Sequence, residues 1–365
     1  MTESVVELAR DLVSIPSHED ETEAGEFLES WLRRETDAAV TRDEAGNVIA
    51  RRGEGDESLA LVGHHDVVPP DESQVEAASG GSAGEYVVEE RDGRLYGRGT
   101  ADMKGSLAAM TLAFRDADPA GELVFASFVG EEVGGVGARH AIERGFAPDS
   151  AIVGEGSTNY SGPGVTDVVV AHKGRRGSTI TARGAASHAS EPEAGENAIY
   201  RATDAVDRIR DLEPPAVEVA GETLAGSLVV TEIEGGSAMN VVPERCRATI
   251  DERTVPGERV PLEGLEELPG IEWTVDQDLP PMRCSDEGFA EAVLESARES
   301  QSGDPDLVTK PHATDAGWLS EAGTECVIYG ASEPGEAHTS DESVSIAVLE
   351  RCRRTYRLAA ERWPA

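Results

Sequence analysis

Short apolar runs of strand length punctuate the first part of the chain, around residues 47–51, 59–63 (LALVG before the paired histidines), 122–129 (LVFASFVG) and 150–154 (AIVG). Apolar positions at helical spacing occupy 3–14, the stretch from a Ser17 cap to Arg34, 106–116 and 137–144. Strands alternating with helices in this way predict an α/β fold, a mostly parallel sheet covered by helices on both faces.

The rhythm changes near residue 174. STITARG reads as a strand, ENAIYRATDAVDRIRDL as a helix, SLVVTEIEG and CRATIDERT as two strands, VPLEGLEEL as a short helix and IEWTVDQ as a strand. The order β-α-β-β-α-β is the ferredoxin-like arrangement. Helix resumes after Pro280-Pro281, followed by a strand over 325–329 and a terminal helix over about 342–362. At 365 residues the chain exceeds what one hydrophobic core usually serves. We expect a larger discontinuous domain, 1–173 and 279–365, with a ferredoxin-like α+β domain, 174–278, inserted into it.

Each apolar run of the larger domain stops at, or shortly before, residues that bind metals or move protons. LALVG precedes His64 and Asp66, LVFASFVG precedes Glu131 and Glu132, AIVG precedes Glu155, ECVIYG lies ahead of His338, and the glycine-rich turn LYGRGTADMKG carries Asp102. Ligands of open α/β sheets bind beyond the carboxyl ends of the strands, so residues far apart in sequence converge there.

Individually these residues have plainer readings: Asp102 as a helix cap, His338 as a solvated loop histidine, Glu155 as a cap or a surface acid. Together they form two sets of terminal metal ligands, His64 with Glu155 and Glu132 with His338, shared across Asp102. A metal-bound imidazole usually donates its other N–H to a carboxylate, a part that suits Asp66 two residues after His64. His65 points to the opposite side of the strand and reads as structural. Of the adjacent Glu131 and Glu132, one can bind metal while the other faces the substrate and takes a proton from water. Nitrogen and oxygen ligands without thiolate suit two zinc ions, with cobalt or manganese as substitutes.

Composition narrows the partners. The 71 acidic and 32 basic residues leave a formal charge of -39, which repels polyanions, so nucleic acid and anionic membrane surfaces are excluded as partners. The only lysines are Lys104, Lys173 and Lys310, and the acids are spread along the chain. That balance reads as a salt-adapted protein. Cys246, Cys284, Cys326 and Cys352 form no close pair and read as free thiols. The first residues form an acidic amphipathic pattern rather than a secretory signal, and no run reaches membrane-spanning length, so a cytoplasmic location is expected.

The motifs GHHDVVP, LYGRGTADMKG, GEEVGGVGA, VGEGS, HKGRRG, AASHAS, AMNVVPE, DERTVPGE and AHTSDE resemble, in order and kind, those of the dinuclear-zinc amidohydrolases that include acetylornithine deacetylase, succinyl-diaminopimelate desuccinylase, aminoacylase and glutamate carboxypeptidase. The resemblance implies Glu131 as general base, Asp66 as the partner of His64, Asp102 as the bridging ligand followed by a cis peptide, and Glu132, Glu155 and His338 as ligands. It further implies a homodimer through the inserted domain, with His188 stabilising an oxyanion in the partner's site and Asn240 and Arg253 near the substrate.

Arg175 and Arg176 could clamp a substrate carboxylate with a forked guanidinium. On that ground the expected activity is hydrolysis of an N-acyl amide on a small amino acid, foremost a succinyl-diaminopimelate desuccinylase of lysine biosynthesis. The alternatives are acetylornithine deacetylase of arginine biosynthesis, a glutamate-type carboxypeptidase or dipeptidase, and a non-catalytic binding relative. The chain departs from many relatives at HATDAGW, where they carry a glycine-rich run.

The distributed charge predicts a salt-dependent fold, because screening of self-repulsion strengthens severalfold between about 0.1 and 2 M salt. The melting temperature should climb over that range in potassium chloride, and a flat profile would contradict salt adaptation.

Overall fold

A computed structural model of the chain describes residues 3–76 and 86–363. The chain divides into two compact units, one comprising Met1–Ala171, Met282–Lys310 and Thr314–Ala365, the other His172–Pro281 with Pro311–Ala313.

The first unit is built on a sheet of nine described strands. Its order is Ala39–Arg42, Val48–Arg52, Glu122–Phe128, Ser58–His64, Ser150–Val153, Glu325–Ile328, Val168–His172 and Met282–Arg283, with Leu307–Lys310 also pairing to Val168–His172. The four strands from Glu122–Phe128 to Glu325–Ile328 run parallel, and antiparallel strands flank them. Every residue of Ser58–His64 and of Ser150–Val153 is buried, as continuous apolar runs require when helices cover both faces. One side is filled by Val62, Ala126, Phe128, Val153 and Ile328, packed with Phe146 and Leu319. The helix Gly105–Asp116 is apolar nearly all round, buried from Gly105 to Phe114, and packs on the terminal helix Ile346–Arg362.

The first helix, Val5–Ser14, begins with a capping box in which Ser4 Oγ accepts from Glu7 N and the Glu7 carboxylate accepts from Ser4 N. The second starts later than the Ser17 cap expected from the sequence. It spans Thr22–Glu35, because Ser17 is buried with its carbonyl accepting from Val67 N. The edge strand Ala39–Arg42 has only Ala39 and Val40 as apolar residues, and it forms by hairpin pairing with Val48–Arg52.

The second unit has the ferredoxin-like order. Strands Ser227–Gly235, Arg245–Thr254, Gly174–Arg183 and Ile271–Leu279 lie side by side, all antiparallel. The helix Ala198–Arg210, capped by Asn197, packs Ala198, Ala202, Ala205 and Ile209 into the unit's core with Ile180 and Ile250. The expected second helix is a 3-10 turn, Leu262–Glu267. A further hairpin, Ala216–Val219 with Glu222–Ala225, was not apparent from the sequence pattern. The four cysteines are free, and no described helix is long and apolar enough to cross a membrane.

Candidate metal centre

The parallel strands end level with one another. His64 is the last residue of its strand and is in register with Phe128, so Glu131 and Glu132 follow just past the same edge. Val153 is in register with both Val62 and Ile328, which brings out Glu155 beside them and starts the loop to His338. Asp102 comes from the turn between Gly97 and Gly105. Gly99 has φ +86°, and a Cβ there would lie 2.6 Å from Val67 Cγ1, so only glycine lets the turn approach so closely. The Asp102-Met103 peptide is cis, as the resemblance implies.

Asp102 presents one oxygen to each side of the site. Its Oδ1 is 3.2 Å from His64 Nε2 and its Oδ2 is 3.1 Å from His338 Nε2. Glu155 Oε1 lies 3.4 Å from the same His64 nitrogen, and Glu132 Oε1 lies 3.0 Å from the same His338 nitrogen. His64, Glu131 and Glu155 each offer a ligand atom within 4.8 Å of the others, as do Asp102, Glu132 and His338. Two imidazoles and four carboxylates around two foci, with one carboxylate facing both, fit a pair of cations with mixed nitrogen and oxygen ligands.

Surrounding bonds orient these groups. His64 Nδ1 is 3.0 Å from the Asp66 carbonyl and 3.3 Å from Asp66 Oδ1, which leaves Nε2 for a metal. The Asp66 carboxylate also accepts from the backbone N–H groups of Glu131 and Glu132, at 3.1 and 3.0 Å. One buried aspartate thus fixes a histidine and the turn bearing both glutamates. His65 is buried against Ser127 Oγ at 2.7 Å, and burial lowers its pKa to about 3, so it stays neutral.

Burial would raise the Asp102 pKa, but hydrogen bonds from His338 and His64 outweigh it and hold the carboxyl well below the usual range. Bonds to Asp102 and Glu132 raise His338 to about 10. His64 is raised too, because its carboxylate partners outweigh its desolvation. Burial, reinforced by Asp315, Glu155 and Asp102, pushes Glu131 well above the usual carboxylate range.

Sequence reasoning missed three residues of this neighbourhood. The buried Lys310 places Nζ 3.4 Å from Glu155 Oε2, the oxygen turned away from His64. Asp315 is buried with neither carboxylate oxygen hydrogen-bonded among the described residues, and burial raises it to about 7. It lies against the turn after Glu131, where a Cβ on Gly135 would sit 2.7 Å from its Oδ1. Glu342 is buried and bonded to the backbone of the Asp102 turn. The signal for Lys310 was its rarity, since lysine had otherwise almost vanished from the chain.

The remaining predicted residues lie in the second unit. His188 is exposed, and its Nδ1 lies 2.7 Å from Ser190 Oγ and accepts from Ser190 N at 3.2 Å. His188 pairs with Val241 in a short ladder, and the Asn240 carbonyl accepts from Ala189 N at 2.9 Å, so His188 and Asn240 are neighbours. Arg175 and Arg253 both pair with Asp251, at 2.9 and 2.8 Å. Arg176 requires a correction. Its buried guanidinium is bonded to Glu252 at 2.5 Å and to the Val260 carbonyl at 2.7 Å, a structural pair within its own unit rather than a fork open to substrate.

Metal ligands must be deprotonated, so a cation bound here would displace the protons that the neighbouring carboxylates favour on His64 and His338. With His338 at about 10 and His64 also raised, zinc titration of metal-free protein at pH 7 should release roughly one to two protons per chain. Affinity should fall as pH is lowered. Calorimetry in buffers of different ionisation heat reads the release, and a proton-neutral titration would contradict this assignment.

Residues 60–362 match the sequence profile of peptidase family M20/M25/M40. An acetylornithine deacetylase of Myxococcus xanthus is 32% identical over 336 residues, 87% of this chain and 83% of that protein. A Pyrobaculum aerophilum protein named as a LysW-lysine/LysW-ornithine hydrolase is 29% identical over 360 residues, 98% of this chain and 97% of that protein. Among solved structures, aminopeptidase PepT of Bacillus cereus shares the fold with a TM-score of 0.79 at 20% identity, covering 98% of this chain and 97% of that one. The ordered motifs, the paired ligand groups at the sheet edge and these matches agree: the chain belongs to peptidase family M20/M25/M40 and is a metal-dependent amidohydrolase.

Proposed function

We propose that this protein hydrolyses the amide of an N-acylated diamino acid, with N-acetylornithine as the leading substrate and two zinc ions held by His64, Asp102, Glu132, Glu155 and His338. The observation that carries the reading is Asp102 facing both histidines, with Glu131 beside His64 and Glu155. The succinyl-diaminopimelate alternative loses one of its two candidate clamps because Arg176 is bonded internally, and the named relatives favour ornithine as the amine. The Pyrobaculum protein's name gives a second reading, in which lysine or ornithine linked to LysW is the substrate.

When bound, the two cations would polarise the amide carbonyl and acidify the attacking water. Glu131 takes the water's proton and returns it to the leaving amine, which departs neutral. Asp66 holds the Glu131 backbone in place. His188 supplies an oxyanion donor, reaching the site of the other chain in a homodimer joined through the second unit. The exposed Val229 and Ile233 on the edge strand Ser227–Gly235 support that association. Arg175, Arg253 and Asn240 are proposed for the substrate carboxylate.

A panel of N-acetylornithine, N-acetyl-lysine, N-succinyl-diaminopimelate and a glutamate-terminated dipeptide tests the substrate. Acetylornithine should be turned over fastest, and a preference for the dipeptide would refute the deacylase reading. Glu131→Gln should retain zinc while losing about 10²- to 10⁴-fold in kcat, whereas Glu132→Ala should lose metal.

The partner role of His188 predicts complementation. His188→Ala should stay folded and zinc-loaded but lose roughly 10²- to 10³-fold in kcat. Mixing it with Glu131→Ala chains should restore part of the activity, because one site of the hybrid has both groups. No recovery despite subunit exchange would place the donor in its own chain or on another residue.

A further inference from the structure

The turn that carries Asp102 is held by the side chain of Glu342, four residues beyond His338 in sequence, a contact that no metal reading requires. Glu342 is 1% exposed and its neighbour Arg98 is 3% exposed. Glu342 Oε1 accepts from Ala101 N at 3.0 Å and from Asp102 N at 3.2 Å, while Oε2 accepts from Arg98 Nη1 at 2.5 Å. The Glu342 carbonyl also accepts from Gly97 N at 3.0 Å. A single residue therefore grips the glycine-rich turn at its first residue and at the ligand itself. Immediately beyond it, Ser343 pairs with Tyr96 in an antiparallel ladder, so the turn and the loop carrying His338 leave the same rung.

The turn needs such support. Asp102 has φ −131° and ψ 96° and Met103 φ −132°, outside helical geometry, so the local backbone offers these amides no regular partner. Unpaired buried N–H groups are costly, and a carboxylate is the acceptor that can take two of them while still pairing with a guanidinium.

We propose that Glu342, locked by Arg98, is a positioning residue that aims the bridging carboxylate of Asp102 and so sets the affinity of both metal positions together. The inference rests on the two-metal reading above. It differs from the part of Lys310, which is paired with Glu155 and should affect one position alone. Partners that orient a ligand typically change metal affinity by about 10- to 100-fold when lost.

The test is zinc titration of metal-free protein against a chromophoric chelator, with Glu342→Gln, Arg98→Met and Lys310→Met beside the unmodified chain. Glutamine cannot accept from both amides and from Arg98 at once, since one end of its amide is a donor. Glu342→Gln should weaken both ions by about 10- to 100-fold, Arg98→Met should weaken both as well, and Lys310→Met should weaken one. Hydrogen exchange on metal-free protein supplies a readout independent of zinc, and the Ala101 and Asp102 amides should lose protection in Glu342→Gln. Two ions bound at unmodified affinity by a folded Glu342→Gln, or a loss confined to one ion, would overturn the proposal. Failure of the unmodified chain to bind two ions would instead overturn the two-metal reading.

Discussion

Asp66, Asp102, Glu131, Glu132 and Glu155 are gathered beyond the ends of four buried parallel strands, in a chain already carrying a charge of -39. Like charges brought this close resist ionising together, so the arrangement depends on cations to balance it. In the metal-free protein that balance falls to His64 and His338, both raised in pKa by the carboxylates around them, and to Lys310 on the outer oxygen of Glu155. Divalent cations bound between these groups would balance the same charge.

The two halves of the site are built differently. His64 and Glu155 are buried and backed by Asp66 and Lys310, while His338, with φ +63°, stands half exposed on a long loop. Rigid strand ends thus supply one side and a loop the other, and Asp102 joins them from a turn tied to that loop through Glu342. The second unit follows the same logic on its own scale. Its buried charge, Arg176, is paired with Glu252 and bonded to the Val260 carbonyl, as a desolvated ion must be.

The apolar runs ending on His64, Glu131, Glu155 and His338 were legible because a fully buried parallel strand leaves a continuous hydrophobic stretch whose end is unmistakable. The ferredoxin-like unit was legible from the order of its elements. Features decided by tertiary contact were not. The start of the second helix at Thr22 depends on the burial of Ser17, and the strand Ala39–Arg42 depends on its hairpin partner. The hairpin at 216–225 joins two strands of only four residues each, too short for a strand pattern to stand out. Asp315 and Glu342 were lost among 71 acids, and Arg176 read as a substrate clamp because its partner lies 76 residues away in sequence.

The account stands on Asp102 being shared by two cations. Crystals of zinc-loaded protein measured on both sides of the zinc absorption edge test this directly. Two anomalous peaks about 3.5 to 4 Å apart are expected, one beside His64 and Glu155, the other beside Glu132 and His338, with one Asp102 oxygen on each. A single peak under saturating zinc, or two peaks with Asp102 touching only one, would contradict it.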